Sequence, residues 1–300
     1  MTYDIIVIGC GPAGMTAAIY ALRANKSVLM LEKETIGGQI SSSPLVENYP
    51  GYLKISGSEL SNNLYEQVTE LGGVIELEEV IKIEDGEIKK VITEDNTYTG
   101  KSVIIATGSR YRLLGLPNEI ELIGNGIHFC VACDGAFYKD KTVAVIGGGN
   151  SAIINSLSLS DICKKVYVVQ NLSNLTGEKV LGDKLKKKDN VVIFYNAKVT
   201  ELKGNDELNS IIINTNNEDK ELKLDGMFIS IGQVPQSNFV KELVKINESS
   251  YVISDDNCET NIKGIFVAGD IRNKKIRQLT TAVNDGTIAA LEAVNYIDSL

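Results

Sequence analysis

Two stretches of the chain share one pattern of apolar and polar positions. A short unbroken run of branched apolar residues meets a cluster of glycines, then a helix of small residues, then a second apolar run. The first is YDIIVIGCGPAGMTAAIYALRANKSVLMLEK, residues 3–33, and the second is KTVAVIGGGNSAIINSLSLSDICKKVYVVQ, residues 141–170. Unbroken apolar runs of this length suit strands buried on both faces of a parallel sheet. Each stretch therefore reads as a β-α-β unit of the dinucleotide-binding kind, and the chain carries an internal duplication. Residues 74–110 read as hairpin-like strands, and residues 191–217 as similar strands ending at MFISIGQVPQS, residues 227–237. The tail, residues 262–297, predicts a strand, a loop and a closing helix. The fold class is α/β, with two Rossmann-like domains that each add β-hairpin strands.

Length and composition narrow the function. At 300 residues the chain accommodates two domains and a sizeable core. A formal net charge of −9 argues against nucleic acid as a partner, because phosphate binding needs a positive field. No apolar run is long enough to span a bilayer, and the start lacks the basic and apolar regions of a secretory signal, so the cytoplasm is the expected compartment. Of five cysteines, at 10, 130, 133, 163 and 258, only Cys130 and Cys133 are close in sequence. A zinc site needs a second Cys or His pair, and the sole histidine, His128, stands beside the first pair, so no metal is expected. In a reducing compartment such a pair points to thiol–disulfide exchange.

The glycine clusters differ in what surrounds them. In GCGPAG, Gly9 allows the tight turn, Gly11 lets a pyrophosphate approach the backbone, and Gly14 lets the helix pack closely on the sheet. Glu32, eighteen residues beyond Gly14, is placed to accept hydrogen bonds from a ribose diol. In the second cluster Gly147, Gly149 and Ala152 keep the turn, but its partners are missing. Gln170, Asn171, Leu172 and Thr176 supply neither arginines for a 2′-phosphate nor an acid for ribose hydroxyls, and Ile154 and Asn155 leave the helix start without carboxylates. This reads as an inherited fold without its ligand.

Motifs along nearly the whole chain resemble the low-molecular-weight thioredoxin reductases, which are flavoproteins. They are GCGPAG, GGQ (37–39), ENYPG (47–51), ATGS (106–109), LGLP (114–117), CVACDG (130–135), GGGNSA (147–152), FVAGD (266–270) and RQLTTA (277–282). The resemblance implies a discontinuous FAD-binding domain, 1–112 and 239–300, with a degenerate NAD(P)H-like domain, 113–238, inserted in it. It implies a homodimer, and a swing of the small domain that shows the cysteine pair alternately to the flavin and to thioredoxin. Carried over by position, FAD would meet Gly9, Gly11, Pro12, Ala13, Gly14, Glu32, Lys33, Gly38, Gln39, Asn48, Thr107, Gly108, Asp270, Arg277, Gln278 and Leu279. Cys133 would lie against the flavin, Cys130 would attack the partner disulfide, and Asp134 would be the exchange acid.

The resemblance has one gap. NADPH-using members carry a His-Arg-Arg block, a further arginine and a glutamate pair where this chain has Gln170, Asn171, Leu172, Thr176, Ile154 and Asn155. That pattern is similar to the reductases of the same fold that take electrons from ferredoxin. Two alternatives stand beside this expectation. One is NADPH held by Lys184, Lys186 or Lys187; the other is a flavin-binding redox sensor without thioredoxin turnover. Among smaller features, His128 either tunes the neighbouring thiolate or simply packs, and Cys10, Cys163 and Cys258 read as structural thiols. RNKKIR, residues 272–277, is either a docking patch for an acidic ferredoxin or a solvated loop, and KLKKKD, residues 184–189, a solvated face.

Overall fold

The computed structural model describes residues 1–300. The chain divides into two compact units, Met1–Arg110 with Val234–Leu300, and Tyr111–Gln233. The crossings thus fall a few residues before the expected 112/113 and 238/239.

The first unit opens with β1 (Thr2–Ile8), α1 (Pro12–Arg23) and β2 (Val28–Leu31), followed by α2 (Gly57–Glu70), β3 (Val74–Glu76), β4 (Val80–Glu84), β5 (Lys89–Thr93) and β6 (Thr97–Ile105), and the short β7 (Ser109–Tyr111) straddles the crossing into the second. Proline suits the first turn of α1, where its missing N–H costs nothing. Ser56 caps α2 by accepting the Glu59 N–H at 3.1 Å. The second unit holds β8 (Ile127–His128), α3 (Val131–Asp134), β9 (Thr142–Ile146), α4 (Asn150–Ser160), β10 (Lys165–Val169), α5 (Lys179–Leu185), β11 (Val191–Phe194), β12 (Ala197–Lys203), β13 (Ser210–Thr215), β14 (Glu218–Lys223) and β15 (Gly226–Ile229). After β16 (Gln233–Pro235) the first unit closes with β17 (Ile265–Val267) and α6 (Leu279–Asp298).

The main sheet of the first unit runs β3-β2-β1-β6-β5-β4, with β17 also on β6. Only β4, β5 and the start of β6 form the expected hairpin meander. The hairpin reading of residues 74–110 fails at both ends: β3 pairs parallel with β2, and β6 runs parallel between β1 and β17. For β6 the reason is burial on both faces, since Ser102–Ile105 are closed off from solvent, whereas β3 is a three-residue, largely exposed strand at the sheet edge.

In the second unit a parallel sheet runs β11-β10-β9-β15-β8, beside a three-stranded antiparallel sheet β12-β13-β14. Here too the expected strands divide: β11 joins the parallel sheet, while β12 and β13 form the antiparallel one. Small residues bring α1 and α6 together over the first sheet. Ala17, Ala18 and Ala21 share one core with Ala289, Ala290 and Ala293. A Cβ on Gly286 would stand 2.2 Å from the Ala13 carbonyl oxygen, so α6 needs glycine there to approach.

Candidate functional site

The first glycine turn is built by close approach. Gly9 has φ +105°, and a Cβ on it would stand 2.5 Å from the Ala106 carbonyl oxygen. On Gly14 it would meet the Gly9 oxygen at 1.9 Å, whereas on Gly11 it would meet nothing within 4 Å. The turn is thus tight behind and open in front. Glu32 binds its edge: Oε2 accepts the Cys10 N–H at 2.8 Å and Oε1 accepts the Glu34 N–H at 2.9 Å.

Other expected positions converge here. Gly37 donates its N–H to the Cys10 carbonyl at 2.8 Å, and a Cβ on Gly38 would stand 3.2 Å from Gly11 Cα. The Gln39 side chain donates to the Ser109 carbonyl. Thr107 Oγ1 donates to the Gln236 carbonyl at 2.8 Å, and Gly108 accepts the Gln236 N–H at 3.0 Å. From the tail, Gly269 packs on Ala13, where a Cβ would meet the Ala13 side chain at 2.9 Å, and Asp270 follows it. Asp270 Oδ1 is buried without a hydrogen-bond partner, and its nearest cation, Lys274, is 3.7 Å away. Burial outweighs the lysine and pushes this carboxyl above its usual range. Arg277 donates to the Asp270 carbonyl at 3.3 Å and stacks on Tyr251. Gln278 caps α6, and Leu279 packs against the cluster of Val46, Ile55 and Leu60. Lys33 points instead to Glu79 and Gln236, and Asn48 is exposed in the loop after Val46.

The RNKKIR run is not a free basic patch. Arg272 is buried, with Nη1 2.6 Å from Asp285 Oδ1, and Lys274 donates to Asp285 Oδ2 at 2.8 Å. Asp285 also accepts the Gly269 N–H at 3.0 Å. The signal for this anchor was an acid on the apolar stripe of α6, between Ala282 and Ala289. Lys275 and Ile276 are the run's exposed side chains beyond Asn273.

The second unit holds the cysteine pair. Cys130 and Cys133 are joined by a disulfide with their Cα atoms 5.3 Å apart, and both are half-buried. The turn of α3 sets this geometry: the Cys133 and Asp134 N–H groups donate to the Cys130 carbonyl at 3.2 and 3.0 Å. Phe129 stacks on Tyr111 with ring centres 4.5 Å apart, and Val131 enters the core. Behind the pair, Asp134 is buried with Oδ2 3.3 Å from His128 Nδ1. His128 Nε2 lies 2.7 Å from the Tyr138 hydroxyl. Residue type and spacing gave no sign of this Tyr138 contact.

The other thiols are insulated. Cys10, Cys163 and Cys258 are buried. Burial first, then nearby carboxylates, pushes Cys163 up to about 11, and burial lifts Cys258 to about 12 and Cys10 further.

The second glycine turn has the same open front, since a Cβ on Gly149 would meet only Thr176 Oγ1, at 3.9 Å, but its flanking side chains differ. Gln170 stands where the first unit has Glu32, yet its side chain packs on Gly148 and donates to the Asn174 carbonyl at 2.9 Å. Thr176 and Gly177 donate their N–H groups to the Gly148 carbonyl at 2.8 and 3.2 Å. Asn150 Oδ1, at the start of α4, accepts the Glu178 N–H at 2.7 Å. The Asn155 side chain is turned to Ser230, and Ile154 is exposed.

The model of the pyridine nucleotide-disulphide oxidoreductase family matches residues 3–286. A thioredoxin reductase of Bacillus subtilis is 39% identical over 302 residues, covering 99% of this chain and 96% of its own. The chain belongs to the low-molecular-weight thioredoxin reductases of that family. Another relative of this reductase, described as a 34.2 kDa protein in the rubredoxin operon of Clostridium pasteurianum, is 43% identical over 298 residues, 98% of this chain and 97% of its own. Among solved structures, thioredoxin reductase from Streptococcus pyogenes superposes with a TM-score of 0.96 at 40% identity, over 100% of this chain and 99% of that one. FAD is the cofactor of this family, and the first turn fits it. The open front of Gly11 leaves room for a pyrophosphate, and the buried Asp270 Oδ1 offers an unused acceptor. No helix of the reductase is long and apolar enough to cross a membrane.

Proposed function

We propose that this flavoprotein reduces thioredoxin through the Cys130–Cys133 disulfide and draws its electrons from reduced ferredoxin rather than from NADPH. The observation that carries the exchange chemistry is the half-buried disulfide with Asp134 fixed beside it in one helical turn. In that role a thiolate at Cys130 attacks the partner disulfide, and Cys133 resolves the mixed disulfide. Asp134 supplies and recovers the proton.

The first unit would hold FAD, with Gly9, Gly11, Pro12, Ala13 and Gly14 along the pyrophosphate and Glu32 and Lys33 at the ribose end. Gly38, Gln39, Asn48, Thr107, Gly108, Asp270, Arg277, Gln278 and Leu279 would complete its surroundings. Bound FAD would supply the ability to collect electrons singly and pass on a pair. Cys133 would be the sulfur on the flavin side.

The ferredoxin preference rests on the second glycine turn. Where Glu32 offers an acceptor beside an open turn, Gln170 is folded onto Gly148 and residues 176–178 bond to the turn and to Asn150. A nicotinamide nucleotide would find Gln170 in place of an acid and no arginine for its 2′-phosphate. NADPH is the second reading: Lys186 lines an open surface cleft with Ser173, Asn174 and Tyr195, and a lysine binds phosphate as a point charge. Anaerobic mixing with excess NADPH decides between them by flavin absorbance. The flavin is expected to stay oxidised, and rapid bleaching would sink the ferredoxin reading. A cytoplasmic homodimer completes the proposal.

A further inference from the structure

His128 is the sole histidine of the chain, and each of its ring nitrogens faces a buried partner. Nε2 lies 2.7 Å from the Tyr138 hydroxyl and Nδ1 lies 3.3 Å from Asp134 Oδ2. The ring is held in place from β15, where Phe228 pairs in register with His128 at a ring distance of 5.4 Å. Phe228 also meets Tyr138 edge to face, and Tyr138 fills the space a side chain on Gly226 would need.

A neutral imidazole carries one donor and one acceptor, so the proton arrangement on one side fixes the other. When the Tyr138 hydroxyl donates to Nε2, Nδ1 bears its hydrogen and directs it at the Asp134 carboxylate. When Asp134 is a carboxylic acid, its O–H is directed at Nδ1 and Nε2–H at the Tyr138 oxygen. In both arrangements each ring nitrogen has a partner, so one ring serves Asp134 with and without its proton.

We propose that His128 is a positioning residue for disulfide exchange, holding Asp134 against the cysteine turn and changing tautomer as Asp134 loses and regains its proton. The proposal rests on the reading of Asp134 as the exchange acid. In the first step a Cys130 thiolate bonds to one sulfur of the partner disulfide, the partner's S–S bond breaks, and the leaving thiolate takes the Asp134 proton. In the second step the Cys133 thiol gives its proton to Asp134, and its sulfur bonds to Cys130 Sγ. The mixed disulfide breaks, and the second partner thiolate takes a proton from water. Two electrons pass from the dithiol to the partner, and Asp134 ends protonated as it began.

The groups that surround this relay are few. Asp134 faces His128 from α3 and Tyr138 from the turn after it, while Phe228 on β15 is apolar. Further out, Glu207 and Asp225 act on Tyr138 through their charge, Lys141 Nζ stands 5.3 Å from the Tyr138 ring, and Cys163 donates to the Tyr138 carbonyl. Burial first, then Asp134, Glu207 and Asp225, pushes Tyr138 up to about 12, so it keeps its hydroxyl proton throughout.

The test uses the FAD-loaded enzyme, reduced anaerobically with dithionite and mixed with thioredoxin or an aromatic disulfide. Thiol release is followed from about pH 5.5 to about pH 9, the range in which a histidine-linked relay shows itself. Asp134→Asn is expected to slow release about a hundredfold. His128→Leu is expected to slow it about tenfold near neutrality and to displace the pH–rate profile, because Asp134 loses the N–H that faces it. His128→Asn, whose amide N–H replaces that of Nδ1, is expected to restore most of the profile. In an Asp134→Asn background, His128→Leu is expected to add no further loss. A His128→Leu profile superimposed on that of the unchanged enzyme, with Asp134→Asn slow, would overturn the proposal. If Asp134→Asn keeps full speed, the reading of Asp134 fails and the proposal with it. Should His128→Leu lose its fold or flavin, Tyr138→Phe decides, since it removes only the hydroxyl that sets the tautomer: a displaced profile supports the proposal and an unmoved one overturns it.

Discussion

Cys133→Ser is expected to lower thioredoxin reduction at least about a thousandfold while the protein keeps its fold and flavin. The two sulfurs act as one unit, so losing either removes the whole exchange cycle rather than half of it. Cys130 remains able to attack, but nothing nearby can resolve the product. The other thiols cannot take over, because Cys10, Cys163 and Cys258 are buried and resist ionisation. The variant should therefore accumulate a covalent thioredoxin complex, seen on a non-reducing gel and dispersed by dithiothreitol. Full activity in Cys133→Ser would remove the disulfide from the mechanism and favour a flavin protein that senses rather than turns over.

Two alanine substitutions three residues apart in the first glycine turn should fail in opposite ways. Gly11→Ala adds a Cβ that meets no protein atom within 4 Å, in a backbone conformation any residue adopts. Stability of the flavin-free protein should change by less than about 1 kcal/mol. FAD affinity should fall about tenfold or more, because the new methyl group occupies the space that the pyrophosphate needs. Gly14→Ala places its Cβ 1.9 Å from the Gly9 oxygen, so α1 must move off the sheet. The flavin-free protein should lose roughly 3 kcal/mol. Thermal melts of the flavin-free proteins with FAD titrations separate the two effects. Unchanged FAD binding in Gly11→Ala would mean that the open front of the turn is not where the cofactor lies.

The glycine turns and their flanking strands were legible because unbroken apolar runs and glycine spacing are local signals. The parallel pairing of β3 and β6 was not. The hairpin of β4, β5 and the start of β6 is local, while the buried end of β6 is fixed by β1 and β17, which lie far away in the chain. The same limit hid the fate of RNKKIR. Its charges look solvated until α6 brings Asp285 back to Arg272 and Lys274. At the cysteine pair, the spacing and the following Asp134 spoke plainly from the sequence. The contacts of His128 with Asp134 and Tyr138 depend on how β8, α3 and the turn after it fold together, which no residue pattern encodes.

The second glycine turn is where sequence and structure meet most closely. The absence of arginines around residues 170–176 suggested a missing ligand. The structure adds that Gln170 and Thr176 are themselves bonded across the turn. The central claim is that electrons leave this protein as thiols on thioredoxin after entering without a nicotinamide. The most direct measurement supplies NADPH, NADH and reduced ferredoxin side by side to the anaerobic enzyme and counts the thioredoxin thiols formed. The account predicts thiols with ferredoxin alone, one for each ferredoxin oxidised. Thiols with NADPH and none with ferredoxin would contradict the proposed electron supply. No thiols with any donor, from an enzyme whose flavin is reduced, would contradict the exchange itself.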